Sequence, residues 1–194
     1  MTRAPMPTTL QTPRLRLRKP DLADASRIAM FIGEWDVARM LARVPYPYTE
    51  QDAVSWIGDP GQGCHQGQHY VLVHANGVIG AVGVGERDDG KDNGGAVELG
   101  YWLAKPFWGR GLVTEAAAAV IFALRQHDPR AAITCSHFVD NESSARVIRK
   151  LGFVQTGERM LASVSRGVEV RSLNYRLPLL VAPAARSGTA LTPA

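Results

Sequence analysis

Cysteine is nearly absent from this chain: Cys64 and Cys135 stand alone among 194 residues. Two distant thiols exclude a disulfide framework and read as free and reduced. Long apolar runs are missing too. No stretch approaches the ~18 residues that a bilayer span requires. Residues 1–9 are polar and proline-bearing, without the apolar segment of a secretory signal. The expectation is a cytoplasmic protein with no membrane partner. Charge of one sign is equally scarce, since 22 Lys+Arg against 18 Asp+Glu leave a net charge of +4. The arginines are scattered rather than blocked, which argues against nucleic acid and suits a small anionic ligand. Cys64, His65, His69 and His74 lie close in sequence but lack a matching second pair. Structural zinc wants four ligands at recognisable spacing, so no metal is expected.

What is present reads as one folded unit over residues 10–180, between a loose leader (1–9) and a disordered tail (181–194) rich in Ala, Pro, Ser and Thr. Arg14-Leu-Arg-Leu-Arg18 alternates strictly and predicts a half-buried strand with Leu15 and Leu17 inward. Residues from 21 onward predict a helix with Ile28, Phe31, Ile32 and Trp35 on its apolar face and Asp21 or Asp24 as its cap. A short helix is expected at 52–57 and a glycine-rich loop at 58–68. Strands at 70–73 and 78–84 are joined by Asn76-Gly77, a hairpin signal. A turn at 88–95 leads to a strand at 96–103, apolar on both faces and therefore central. Then follow a helix at 112–126, a strand at 132–138, a helix at 141–151 ended by Gly152, and a last hairpin at 153–164 and 168–177. Strands flanking the 112–126 helix are parallel if neighbours. The fold class is α/β to α+β, a mixed sheet with helices on its faces.

The chemistry concentrates where the 96–103 strand runs through Lys105-Pro-Phe-Trp-Gly-Arg-Gly111 into an alanine-rich helix. A glycine loop at a helix start gathers backbone N–H groups around one point, and the helix dipole adds positive charge: a seat for phosphate. Gly-x-Gly before a helix is common, and alone a tight turn explains it equally well. No Lys-Ser/Thr pair follows, which argues against a P-loop. No acid stands in a convincing dinucleotide-binding register, Asp140 being the nearest.

A second element changes the balance. Asn141-Glu-Ser-Ser-Ala-Arg-Val-Ile-Arg-Lys-Leu-Gly-Phe153 is a polar-capped helix directly after the next strand. Together with Thr12-Pro-Arg-Leu-Arg-Leu-Arg18, Val78-Ile-Gly80, Glu98-Leu-Gly-Tyr-Trp-Leu103 and Trp108-Gly-Arg-Gly111 followed by Thr114-Glu-Ala116, it resembles the GNAT superfamily of acetyl-CoA-dependent N-acetyltransferases. The branch most similar is the RimJ/RimL type, which acetylates ribosomal-protein N-termini. The resemblance covers roughly residues 9–179. It implies a GNAT-like, mostly antiparallel central sheet with a splayed parallel pair and the thioester in the gap.

The same resemblance implies roles. Main-chain N–H groups of Trp108, Gly109, Arg110, Gly111 and Leu112 would hold the pyrophosphate of acetyl-CoA, the co-substrate. Leu103 would pair with the pantetheine arm as an added strand, and Asn141 would hydrogen-bond it. Arg146, or Arg149 or Arg110, would meet the 3′-phosphate. Glu98 is the candidate base. An α-amine with a pKa of ~8 needs only a weak, positioned one, whereas a lysine amine stands at ~10.4. Ser144 would serve the departing thiolate, because Ile148 stands where many family members carry a tyrosine. Pro106 is a second departure and removes one N–H. Trp35, Tyr46, Tyr48 and Trp56 are candidate walls of the acceptor pocket, which would be built from residues 20–68 and 155–170. The expected acceptor is a primary amine, best a protein or peptide N-terminus. The alternatives are a small-molecule amine or an inactive CoA-binding module, and the protein would be a monomer or homodimer. A Cys135–His137 hydrolase is a third reading.

Overall fold

The computed structural model describes residues 6–58, 67–75, 77–86 and 96–179. The expected turn residue Asn76, the 88–95 turn, Cys64, His65 and the 181–194 tail lie outside the described residues. Eight strands form one sheet: β1 (Thr9–Gln11), β2 (Arg16–Arg18), β3 (Gly67–His74), β4 (Gly77–Glu86), β5 (Val97–Leu103), β6 (Ile133–Phe138), β7 (Val154–Ser163) and β8 (Val168–Leu177). Their order is β1-β2-β3-β4-β5-β6-β8-β7. Every neighbouring pair is antiparallel except β5 with β6. The helices are α1 (Ala25–Ile32), α2 (Trp35–Ala38), α3 (Glu50–Gly58), α4 (Leu112–His127) and α5 (Glu142–Lys150). The architecture is the mixed, mostly antiparallel sheet with flanking helices that the sequence led us to expect.

The alternation of the strands sorts the core into two layers. Leu17, Leu72 and Ile79 are buried in the larger cluster with Ala116, Val120 and Leu124 of α4. Val71 and Val78, one residue away on the same strands, are buried with Ala25, Ile28 and Ala53 of α1 and α3. Successive side chains of a strand point to opposite faces, so α4 covers one face and α1 with α3 the other. Burying each of the Leu, Ile and Val side chains stabilises the fold by roughly 1.5–3 kcal/mol.

Several local expectations change. The helix from residue 21 begins as a 3-10 turn, Leu22–Asp24, capped by Asp21, whose side chain accepts from the Ala23 amide. Ile28, Phe31 and Ile32 are buried as expected, but Trp35 starts α2, is exposed and packs edge-on against Tyr46. The folded part also starts before residue 10. Met6 is buried, the Pro7 carbonyl accepts from the Tyr70 hydroxyl at 2.6 Å, and Thr9 opens β1.

The β5–β6 junction sets up everything that follows. β5 is held to β4 from Glu86↔Val97 to Gly80↔Leu103, and β6 to β8 from Ile133↔Leu177 to Phe138↔Ser172. Between β5 and β6 only Val97↔Ile133 and Glu98↔Thr134 pair. Each strand follows its longer antiparallel ladder, and the short parallel one opens.

Candidate active site

The opening exposes main chain as well as side chains. The Ala104 amide donates to the Ile79 carbonyl at 2.8 Å, one step beyond the Gly80↔Leu103 pair. Antiparallel pairs alternate between bonded and unbonded, so the main-chain groups of Leu99, Tyr101 and Leu103 turn away from β4 toward β6. Past Glu98 the ladder with β6 has ended, and these groups face the gap. The Leu103 carbonyl accepts from the Trp108 indole Nε1–H at 2.6 Å. Its amide is the group left turned to the gap.

At the mouth of the gap, Gly109 and Gly111 hold φ of 75° and 74°. These are left-handed values that favour glycine. Gly111 is the N-cap of α4 and supplies no side-chain cap, so the first-turn amides keep their donors. The Arg110 carbonyl is turned toward Arg14, whose Nη1 donates to it at 2.8 Å. In a trans peptide the following N–H points the opposite way, so the Gly111 amide faces away from Arg14. Trp108 departs from its expected role. Its amide donates to the Lys105 carbonyl at 3.1 Å, closing the 3-10 turn Lys105–Phe107, and is not an open donor. The open cradle therefore runs from Gly109 through Leu112.

A support behind this loop was not read from the sequence. Thr12 Oγ1 donates to Glu115 Oε1 at 2.6 Å, the Arg14 amide to the same oxygen at 3.0 Å, and Arg14 Nε to Oε2 at 2.6 Å. Burial pushes the Glu115 carboxyl up, but the bonds from Thr12 and Arg14 outweigh it and hold it below its ordinary value. The N-terminal Thr-Pro-Arg segment thus clamps the first turn of α4 by its own carboxylate.

Asn141 caps α5 as its sequence position predicts, its Oδ1 accepting from the Ser144 amide at 3.0 Å. Its amide NH2 is the part left for another partner. Ser144 Oγ bonds neither its own helix nor water-facing residues but the Tyr101 hydroxyl, at 2.8 Å. Arg146 lies along α5, with Nη2 donating to Ser143 Oγ at 3.0 Å and Nη1 3.6 Å from Glu142. The Arg110 guanidinium sits 5.5 Å above the Phe107 ring. Glu98, on the last paired rung of β5, accepts from Ser136 Oγ at 2.8 Å.

Two cavities flank the split. One, about 650 Å³, is walled by Leu103, Gly109, Gly111, Leu112, Asn141 and Ser144. The other, about 590 Å³, is walled by Glu98, Tyr48, Trp56, His137, Arg159 and Leu161 among others. Met40, Leu41, Tyr101 and Trp102 line both, and so form the partition. Tyr48 and Trp56 thus reach the second cavity, whereas Trp35 and Tyr46 do not line it. Over the split runs a chain of ion pairs: Lys105–Asp36 at 2.6 Å, Asp36–Arg39 at 3.7 Å, Arg39–Asp140 at 3.5 Å and Asp140–Arg166 at 2.9 Å. Lys105 follows β5 and Asp140 follows β6, so α2 is tied to both strands that part. Short-range sequence patterns carry no sign of this strap.

The Cys135–His137 reading fails on this geometry. Cys135 is buried, and burial pushes its thiol far above the ordinary value, with the nearby Glu98 charge adding to the effect. His137 Nδ1 donates to the Phe138 carbonyl at 2.7 Å and Nε2 lies 3.2 Å from the Tyr175 hydroxyl, so neither nitrogen serves the thiol. Among the described residues no three His, Cys, Asp or Glu side chains gather as metal ligands. Of the expected metal-like cluster, His69 packs edge-on with Trp56 and His74 with Phe107.

Among the described residues the sheet is split at its parallel pair, with an open helix start at the mouth and a cavity on either side. The family model described as the acetyltransferase (GNAT) domain matches residues 14–154, and the chain belongs to that family. Among relatives, the candidate ribosomal N-acetyltransferase YdaF of Bacillus subtilis (strain 168) is 36% identical over 62 residues, which span 31% of this chain and 33% of that protein. The ribosomal-protein-S5-alanine acetyltransferase of Vibrio fischeri superposes with a TM-score of 0.71 at 19% identity, covering 89% of this chain and 97% of that one. RimL, a ribosomal L7/L12 α-N-protein acetyltransferase solved with coenzyme A, superposes with a TM-score of 0.65 at 19% identity, covering 88% and 96%. At such identity these two structures speak for the fold.

Proposed function

We propose that this protein is an acetyl-CoA-dependent N-acetyltransferase whose acceptor is a primary amine, best matched by a protein or peptide N-terminus. The observation that carries the reading is the pair of cavities sharing Tyr101 and Trp102 as their partition, with Glu98 on the wall of one and the glycine cradle on the wall of the other. The amides of Gly109 to Leu112 and the start of α4 take the pyrophosphate. The Leu103 amide and the Asn141 NH2 take the pantetheine arm, which lies in the gap as an added strand. Arg146, freed from Ser143, reaches the 3′-phosphate.

The amine enters from the Glu98 side. Its nitrogen needs a lone pair, and Glu98, alone or through a water, accepts the proton that must leave. A main-chain amide of β5 turned to the gap meets the developing oxyanion. Ser144 faces the sulfur. The protein-acceptor reading draws on what RimL and the Vibrio protein are named for. Among the described residues no helix is long and apolar enough to cross a membrane. We place the reaction in the cytoplasm, with the enzyme a monomer or homodimer.

The test is calorimetry with coenzyme A, followed by thiol release from acetyl-CoA across an array of N-terminal peptides and small amines. Micromolar binding and release with peptides support the reading. Release with small amines alone moves the acceptor to that class, binding without release makes the protein an inactive CoA module, and no binding removes the proposal.

A further inference from the structure

The Tyr101 hydroxyl has no part in the reaction as drawn above, yet it stands at the partition. It lies 2.8 Å from Ser144 Oγ, and a longer approach of 3.5 Å reaches the Ser144 carbonyl. Among the described residues, both acceptors within its reach are atoms of Ser144. Ser144 is itself held from behind, since its amide donates to Asn141 Oδ1. Burial pushes the Tyr101 phenol far above its ordinary value, against the opposing effect of the Ser144 bond, so the ring stays a neutral O–H. A hydroxyl has one hydrogen to give and two lone pairs to accept with. With Tyr101 donating to Ser144 Oγ, the Ser144 hydrogen remains to be given elsewhere, and Ser144 lines the cradle-side cavity.

We propose that Tyr101 is a positioning residue that aims the Ser144 hydroxyl at the sulfur of the departing coenzyme. The proposal rests on the acetyl-transfer reading above. In that reaction a bond forms between the amine nitrogen and the carbonyl carbon. The C–S bond then breaks, with its electron pair leaving on sulfur. Glu98 already holds the proton that freed the amine lone pair, so the surplus proton on nitrogen leaves to water. A thiol has a pKa of ~8.5 and a phenol ~10, so neither the serine nor the buried tyrosine is acid enough to hand a proton to the thiolate. Ser144 instead donates a hydrogen bond to the sulfur as charge builds there, and the thiolate is protonated from water afterwards. Tyr101 polarises the Ser144 O–H in the same sense, as linked hydrogen bonds reinforce one another. By occupying a lone pair it also keeps Ser144 from turning its hydrogen back onto a helix carbonyl. Ile148, on the same helix, is fully buried and offers no hydroxyl in its place.

Bound coenzyme A gives a readout that needs no acceptor. Thiolate absorbance of coenzyme A on wild type, Tyr101→Phe, Ser144→Ala and the double variant is titrated against pH. The wild type lowers the bound thiol's pKa relative to free coenzyme A. Each single variant loses most of that decrease, and the double variant loses no more than Ser144→Ala alone. In turnover, Tyr101→Phe lowers kcat about 10-fold, as expected for one hydrogen bond to a developing charge, with the KM for acetyl-CoA unchanged. A bound thiol that titrates alike in wild type and Tyr101→Phe, or in wild type and free solution, overturns the proposal and leaves acetyl transfer standing. Absence of coenzyme A binding by the wild type overturns both.

Discussion

On one side of the split sheet the cavity wall includes the glycine loop of Gly109 and Gly111, the first turn of α4 and the N-cap of α5. On the other side it includes residues of α1, α3, β7 and the 40–45 segment beside those of the central strands. In the proposed reading the glycine loop takes a group that does not vary, a diphosphate, with amides in a fixed curve. The second wall recognises whatever projects into it, and its selectivity changes with any one of many side chains. The comparison teaches where to expect constancy and where to expect divergence within such a protein.

Replacements at the seam and on each side can break that comparison. Glu98→Gln strikes the seam. It lowers kcat about 100-fold at pH below the acceptor's pKa, leaves coenzyme A affinity intact, and recovers part of the loss at higher pH. A pH–rate profile that keeps its shape would return Glu98 to a structural role with Ser136. Gly111→Val strikes the glycine loop. A β-branched residue at φ of 74° is strained, and the loop shifts to relieve it. Coenzyme A affinity by calorimetry falls about 10-fold, while acceptor KM is unaffected.

Asp24→Asn strikes the foundation of the second wall, where Arg18 grips Asp24 at 2.7 and 2.8 Å beneath α1. Burial pushes the Asp24 carboxyl up, but the bonds from Arg18 and the Asp21 amide and the Arg18 charge outweigh it and hold it below its ordinary 3.8. A depressed carboxyl contributes stability that is complete above the unfolded value and lost as pH falls through the native one. The variant is therefore less stable by about 1 kcal/mol at neutral pH in denaturant titrations. Its deficit shrinks once the pH drops below the ordinary 3.8. Asp36→Asn is the mildest. It releases Lys105, whose hydrogen bond is the main cause that holds the Asp36 carboxyl below its ordinary value. Both KM values rise at most about twofold at low salt and converge with wild type at high salt.

The same contrast explains what the sequence made legible. Glycines at positive φ and an asparagine cap act within a few residues, so Gly109, Gly111 and Asn141 could be read in order along the chain. Leu17 within β2 and Leu15 just ahead of it are both buried, as the alternation of Arg14–Arg18 predicts, although the strand itself spans only Arg16–Arg18. The Tyr101–Ser144 bond joins residues 43 apart and the Thr12–Glu115 bond residues 103 apart, and no local pattern encodes either. A signal for Tyr101 did exist: a phenol on an apolar central strand needs a partner for its hydroxyl. α2 is a single turn of four residues, too short for periodicity, and the ion pairs that hold it come from two distant segments. The 3-10 turn at Pro106 closes on the Trp108 amide, a geometry that glycine spacing alone does not reveal.

The two rungs between β5 and β6 have a kinetic corollary. A seam fastened only at one end leaves a slot with a separate cavity on each side of Tyr101 and Trp102. Guests lodged in different chambers do not compete for room, and neither must depart before the other arrives. Initial-rate plots for the proposed reaction should therefore intersect, the mark of a ternary complex, instead of running parallel as they would if the enzyme itself carried the acyl group.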